Sequence, residues 1–241
     1  MKEEIKLTTK DGIKVAINYY KNGFDRLLII APGWFMTKDS KYFEQISEIF
    51  EKDADVMTLD FRGPGHSSGF YTFTRKEENE LNTVIDYAKE SYKKIYAAGF
   101  SLGGALVLNV ASKRPGDFSK IIVVSAPSCF EKIENKVWKK EAWLPTFMKY
   151  ELERWISVRP SFPFGKKTRP IDIVDKITVP TLFVAGEKDP TVCSWHTKLL
   201  FDKAVCEKKF ELFENCYHAE DLFIQQKERF IKICTDWLFT E

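Results

Sequence analysis

Ala98-Gly99-Phe100-Ser101-Leu102-Gly103-Gly104 is the stretch on which the reading of this chain turns. It is a G-x-S-x-G pattern set between a short apolar run, Ile95 to Ala98, and a segment of helical periodicity, Leu102 to Lys113. The pattern alone is cheap: at average glycine and serine usage, about one in ten to twenty unrelated chains of this length contains it by chance. Its context carries the weight. A serine on a tight strand-to-helix turn sits in strained backbone with its hydroxyl lifted above a sheet. Flanking glycines let such a turn close without Cβ clashes, and the opening of the helix leaves backbone N–H groups without intrahelical acceptors.

Working outward, the chain alternates strands with helices. Ile5–Thr9 and Ile13–Tyr20 alternate in polarity about Asp11-Gly12 and predict a hairpin. Arg26–Ile30, ending at Ala31-Pro32-Gly33, predicts a strand buried on both faces. Then follow a helix over Ser40–Phe50, a strand over Asp55–Asp60, a glycine-rich loop over Arg62–Gly69, a helix over Lys76–Tyr92 and a strand over Ile121–Ser125. From about 127 to 179 the rhythm breaks into charged, helix-like stretches rich in aromatics. It resumes with a strand over Thr181–Ala185, a helix near Ser194–Asp202, a strand over Lys208–Phe213 and a final helix from about Asp221 to Phe239. Such alternation predicts an α/β fold with a mostly parallel sheet covered on both faces. The expected organisation is one domain over residues 1–241 with a lid-like helical insertion at about 127–179.

A serine hydroxyl is a weak nucleophile at neutral pH and needs a base, itself oriented by a carboxylate. The chain has three histidines, His66, His196 and His218. Of these, His218 follows the last predicted strand, where active groups of this architecture gather. The acid must leave a strand end between serine and histidine. Leu182-Phe183-Val184-Ala185-Gly186-Glu187-Lys188-Asp189-Pro190 supplies Asp189, with Glu187 as its competitor and Asp202 set apart by its place at a helix end. A carboxylate in a turn commonly binds only its own backbone; the required order Ser101, Asp189, His218 is what singles this one out. Acyl transfer also needs oxyanion donors: the Leu102 N–H is one, and the Trp34 N–H, after Pro32-Gly33, is the expected second.

The 37 basic and 35 acidic side chains leave a formal net charge of +2, with no field that makes nucleic acid an expected partner. The five cysteines are scattered, without metal-site spacing, as in a reducing compartment. No signal-like segment or run of membrane-spanning length is apparent, so a cytoplasmic protein without integral membrane association is expected. The chemistry calls for no metal and no organic cofactor. Aromatics reach 15%, and Trp138, Trp143, Phe147 and Trp155 in the insertion either line an apolar substrate pocket or fasten short helices to the body.

Taken together, these motifs resemble the α/β-hydrolase superfamily, and within it the serine-aminopeptidase-like group of esterases, lysophospholipases and monoacylglycerol-lipase-like enzymes. Asp60-Phe61-Arg62-Gly63-Pro64-Gly65-His66-Ser67-Ser68-Gly69 is similar to the D-x-R-G-x-G-x-S-x-G loop of that group, Gly99–Gly104 to its nucleophile elbow, and Gly186–Val192 to its acid turn. The resemblance implies a serine hydrolase cleaving a carboxylic ester of a small molecule through an acyl-enzyme, with structural roles for Arg62 and His66. One departure is Pro32-Gly33, where many members carry His-Gly. A thioesterase, lysophospholipase or amide hydrolase could use the same three residues, and a non-catalytic ligand-binding protein could retain the fold.

Overall fold

In the computed structural model, residues 2–34, 36–134, 157–161, 165 and 167–240 are described. Asp11-Gly12 turns the chain between β1 (Lys2–Thr8) and β2 (Lys14–Tyr20), which pair antiparallel. Gly12 takes φ +82, the conformation an L side chain resists. The remaining strands are β3 (Arg26–Ala31), β4 (Asp55–Leu59), β5 (Lys94–Phe100), β6 (Lys120–Val124), β7 (Thr181–Gly186) and β8 (Lys208–Phe213). Among the described residues they form one sheet of eight strands in the order β1-β2-β4-β3-β5-β6-β7-β8, parallel from β4 through to β8.

The side-chain period of two divides each central strand between two cores. Leu27, Ile29 and Ala97 face one side, while Leu28, Ile30 and Ala98 face the other. On the first side lie α2 (Glu78–Lys89), α3 (Leu102–Lys113) and α4 (Ser194–Lys203), through Leu81, Leu106 and Leu200 among others. On the second lie α1 (Lys41–Phe50), α5 (Asp221–Gln225) and α6 (Lys227–Phe239), through Phe43, Leu222 and Phe230. The parallel strands β3 to β7 are therefore buried along nearly their whole length and are mostly apolar. Among the described residues, no helix is long and apolar enough to cross a membrane.

The final helix departs from expectation. Asp221–Phe239 is broken at Gln226, whose backbone leaves helical geometry at φ −136, ψ 58. Here the glutamines serve the preceding loop: Gln226 Nε2 donates to Glu214 O (2.9 Å) and Gln225 Oε1 accepts from Tyr217 N–H (2.9 Å). Tertiary hydrogen bonds of this kind outweigh uninterrupted helical propensity.

The glycine-rich loop after β4 is fixed by buried charge. Asp60 accepts N–H bonds from Lys38 (2.7 Å) and His66 (2.8 Å). Arg62 reaches Asp11 (2.8 Å) and the fully buried Glu80 (2.6 Å). Burial raises Glu80 to about 7 against the pull of Arg62. Deleting one partner of a buried pair strands the other's charge, so Arg62→Met should lower unfolding stability by about 3–5 kcal/mol, measured by urea denaturation. Because the native state holds the Glu80 proton more tightly than the unfolded chain, protonation of Glu80 itself contributes stability that is complete below the ordinary glutamate range and is lost as pH rises through about 7. Glu80→Gln should therefore gain stability relative to wild type between pH 5 and 8; a constant difference would refute the assignment.

Candidate active site

The turn from β5 to α3 places Ser101 at φ 52, ψ −116, a left-handed conformation for a non-glycine residue. Such geometry costs on the order of 1–3 kcal/mol and persists only where the surroundings over-determine it. Here Ser101 N–H donates to Val124 O of β6 (2.8 Å). The helix start presses so close that a Cβ on Gly103 would stand 2.1 Å from Ala31 O, and one on Gly99 would stand 2.6 Å from Gly103 O. Neither position accepts a side chain, which gives the physical reason for glycine on both sides of the serine.

His218 and Asp189 arrive from the loops after β8 and β7. His218 Nε2 lies 2.9 Å from Ser101 Oγ, and His218 Nδ1 lies 2.6 Å from Asp189 Oδ2. A carboxylate can only accept, so Nδ1 carries the proton and Nε2 faces the serine as an acceptor. Asp189 is buried, and its other oxygen accepts the N–H groups of Thr191 (2.8 Å) and Val192 (2.9 Å). The turn bonds that an unremarkable aspartate would make are thus present, and they leave Oδ2 aimed at the histidine.

The two loops are laced together. Glu187 N–H donates to Phe213 O (3.0 Å) and Lys188 N–H to Cys216 O (2.9 Å). Glu187, the competitor for the acid role, instead accepts Asn215 N–H (2.9 Å) at a residue with φ 59. Ser125, buried just beyond β6, takes the N–H of Ala219 on its Oγ (3.1 Å). Ser125 and Ala219 both hold positive φ, at 49 and 51. Nothing local in the sequence marks Ser125; only the fold brings it beneath the residue that follows His218.

The expected oxyanion donors flank the serine. Leu102 is the first residue of α3, where an N–H has no intrahelical acceptor. Gly33 lies against the elbow, since a Cβ there would be 3.2 Å from both Phe100 O and Ser101 Cβ. The Trp34 ring packs at the edge of the core, 5.8 Å from that of Phe73.

The other two histidines are elsewhere. His66 is exposed and binds Glu4 (2.7 Å). His196 is fully buried, its Nδ1 accepting Ser128 N–H (3.1 Å), and burial holds it below the ordinary histidine range. Asp202 ends α4 in an exposed pair with Lys198. Glu4, Asp39 and His66 could together face a cation, but the ammonium of Lys38 already sits 2.8 Å from Glu4 and 2.5 Å from Asp39. Trp138, Trp143, Phe147 and Trp155 lie outside the described residues.

Comparison with known proteins bears on the fold. A family model described as the alpha/beta hydrolase fold matches residues 26–137. The serine hydrolase BPHL of Homo sapiens is 24% identical over 265 aligned residues, covering 96% of this chain and 87% of that protein. Lysophospholipase L2 of Escherichia coli (strain K12) is 25% identical over 175 residues, covering 68% of this chain and 48% of its own. Among solved structures, the Pyrococcus furiosus esterase Pf2001 superposes with a TM-score of 0.82 at 21% identity, covering 99% of this chain and 90% of that one. Esterase RhEst1 from Rhodococcus sp. ECU1013 superposes at 0.80 with 15% identity, covering 98% of each chain. With the serine turn between β5 and α3, and with histidine and aspartate in the loops after the last two strands, the chain has the α/β-hydrolase fold.

Proposed function

We propose that the protein is a serine hydrolase that cleaves a carboxylic ester of a small molecule through an acyl-enzyme. The observation that carries this reading is the unbroken hydrogen-bonded series Ser101–His218–Asp189, built on a strained serine turn. His218 Nε2 removes the proton from Ser101 Oγ as it attacks the carbonyl carbon. The Trp34 and Leu102 N–H groups stabilise the oxyanion. The proton passes from His218 to the departing alkoxide, releasing the alcohol. Water then gives a proton to His218 as it attacks the acyl-enzyme carbonyl, and His218 returns that proton to Ser101 Oγ as the acyl–serine bond breaks and the acid leaves. Asp189 fixes the ring of His218 and balances its positive charge.

The whole chain reads as one domain, 1–241, with residues from about 127 to 179 inserted between β6 and β7 as a lid, and Trp138, Trp143, Phe147 and Trp155 as pocket residues within it. The similarity to a lysophospholipase supports an amphiphilic ester as one substrate to try. The free cysteines support a reducing, cytoplasmic setting.

Initial rates on p-nitrophenyl esters of graded acyl length test the reading. Ser101→Ala should lower kcat by about 10⁴–10⁶-fold, and residual turnover equal to wild type would overturn it. Asp189→Asn should cost about 10⁴-fold, because the amide favours the wrong histidine tautomer. Ser125→Ala, which leaves the Ala219 N–H without its acceptor, should lower kcat by up to about 10²-fold with KM nearly unchanged. A KM effect alone would exclude a positioning role for Ser125.

A further inference from the structure

Lys167 is half-buried, and it makes no ion pair or hydrogen bond with a described residue. Its Nζ lies 5.4 Å from the centroid of the Phe73 ring and 5.7 Å from that of Phe130. Two aromatic faces offset part of an ammonium's lost hydration but supply no counter-charge. Glu131 and Glu77 act on it only at a distance, and the neighbouring Arg75 opposes it. Burial first and the charge of Arg75 second hold the ammonium below the ordinary lysine range. A charge in this situation gains when an anion is brought to it.

The rings around Lys167 lie close to the serine turn. Phe73 packs on Trp34 at 5.8 Å, and Trp34 follows Gly33, whose backbone touches the Ser101 turn. Phe73 and Thr74 are consecutive non-glycine residues at positive φ, 56 and 74. Buried Glu77 holds that strained turn, accepting the N–H and the hydroxyl (2.8 Å) of Thr72 and the N–H of Lys76 (3.2 Å). Strain held in place this way collects at binding and catalytic sites. Ring contacts therefore lead from Trp34, beside the serine turn, through Phe73 to an ammonium that has no hydrogen-bonded counter-charge among the described residues.

We propose that Lys167 binds an anionic group of the substrate remote from the scissile bond, so that the favoured substrates are esters bearing a carboxylate or phosphate. This rests on the ester-hydrolase reading of the Ser101 site. The alternative is a lysine that lays its stem over two rings for packing alone.

Monomethyl esters of straight-chain dicarboxylic acids, assayed beside the neutral dimethyl esters of the same acids, separate the two. The phosphate source is tested with a monoacylglycerol phosphate beside the matching monoacylglycerol. Wild type should prefer the anionic member at one chain length by about tenfold in kcat/KM, expressed in KM and shrinking as salt is raised. K167M should lose that preference while its rate on the neutral ester, which also reports folding, stays within about twofold. K167R should keep most of it. Equal use of both members by wild type, or an unchanged preference in K167M, overturns the proposal. If neutral esters are still turned over in a Ser101-dependent way, the hydrolase reading stands without it. Absence of Ser101-dependent turnover on any ester overturns both.

Discussion

The backbone of Ser101 is forced into a left-handed turn between a buried strand and a buried helix, and much of the molecule is arranged to hold it there. The strand cannot move, because β5 is bonded to β3 on one side and β6 on the other. Nor can α3, whose residues from Gly103 to Ala111 are buried. Gly103 packs onto the carbonyls of Ala31 and Pro32, which brings the loop after β3 against the same turn. The nucleophile and the segment expected to hold the oxyanion are thus fixed by one close approach of backbone to backbone.

The second requirement is reach. Ser101 leaves β5, and His218 follows β8, three strand spacings or about 14 Å across the sheet. The histidine loop must fold back over β7 and β6 to meet the serine, and each strand it crosses supports it. At β7, a Cβ on Gly186 would lie 2.0 Å from Tyr217 O, so the loop can pass only over a residue without a side chain. At β6, Ser125 takes the N–H of Ala219. Asp189, at the end of β7, then meets the histidine ring partway along its return.

The loop between β4 and α2 contributes differently, through buried charge. Asp60 is nearly inaccessible, and burial raises it to about 6 although two N–H groups bind it. Arg62 joins the β1–β2 hairpin to α2 through Asp11 and Glu80. Such groups add little net stability but penalise any other arrangement of the loop. Residues Tyr71 to Glu77 continue from it, so the same scaffold sets the place of Phe73 beside Trp34 and Lys167.

The alternation of apolar strands and amphipathic helices, and the glycine spacing around Ser101, were legible in the linear sequence because both follow from local periodicity and local sterics. The order Ser101, Asp189, His218 was legible for a related reason: each falls just after a predicted strand, and parallel strands present all such ends on one rim. Only the tertiary structure decided the rest. It gave Glu187 to Asn215 and Asp189 to His218, a choice between two acids in one turn that depends on where a distant loop lands. It broke the last helix at Gln226, because that side chain bonds the histidine loop rather than because of any helix-breaking residue. It also brought Ser125 under Ala219 and Lys167 between Phe73 and Phe130, pairings across long stretches of chain. Sequence periodicity specifies which residues face inward, but the partners of a polar group are set by packing between elements far apart in the chain.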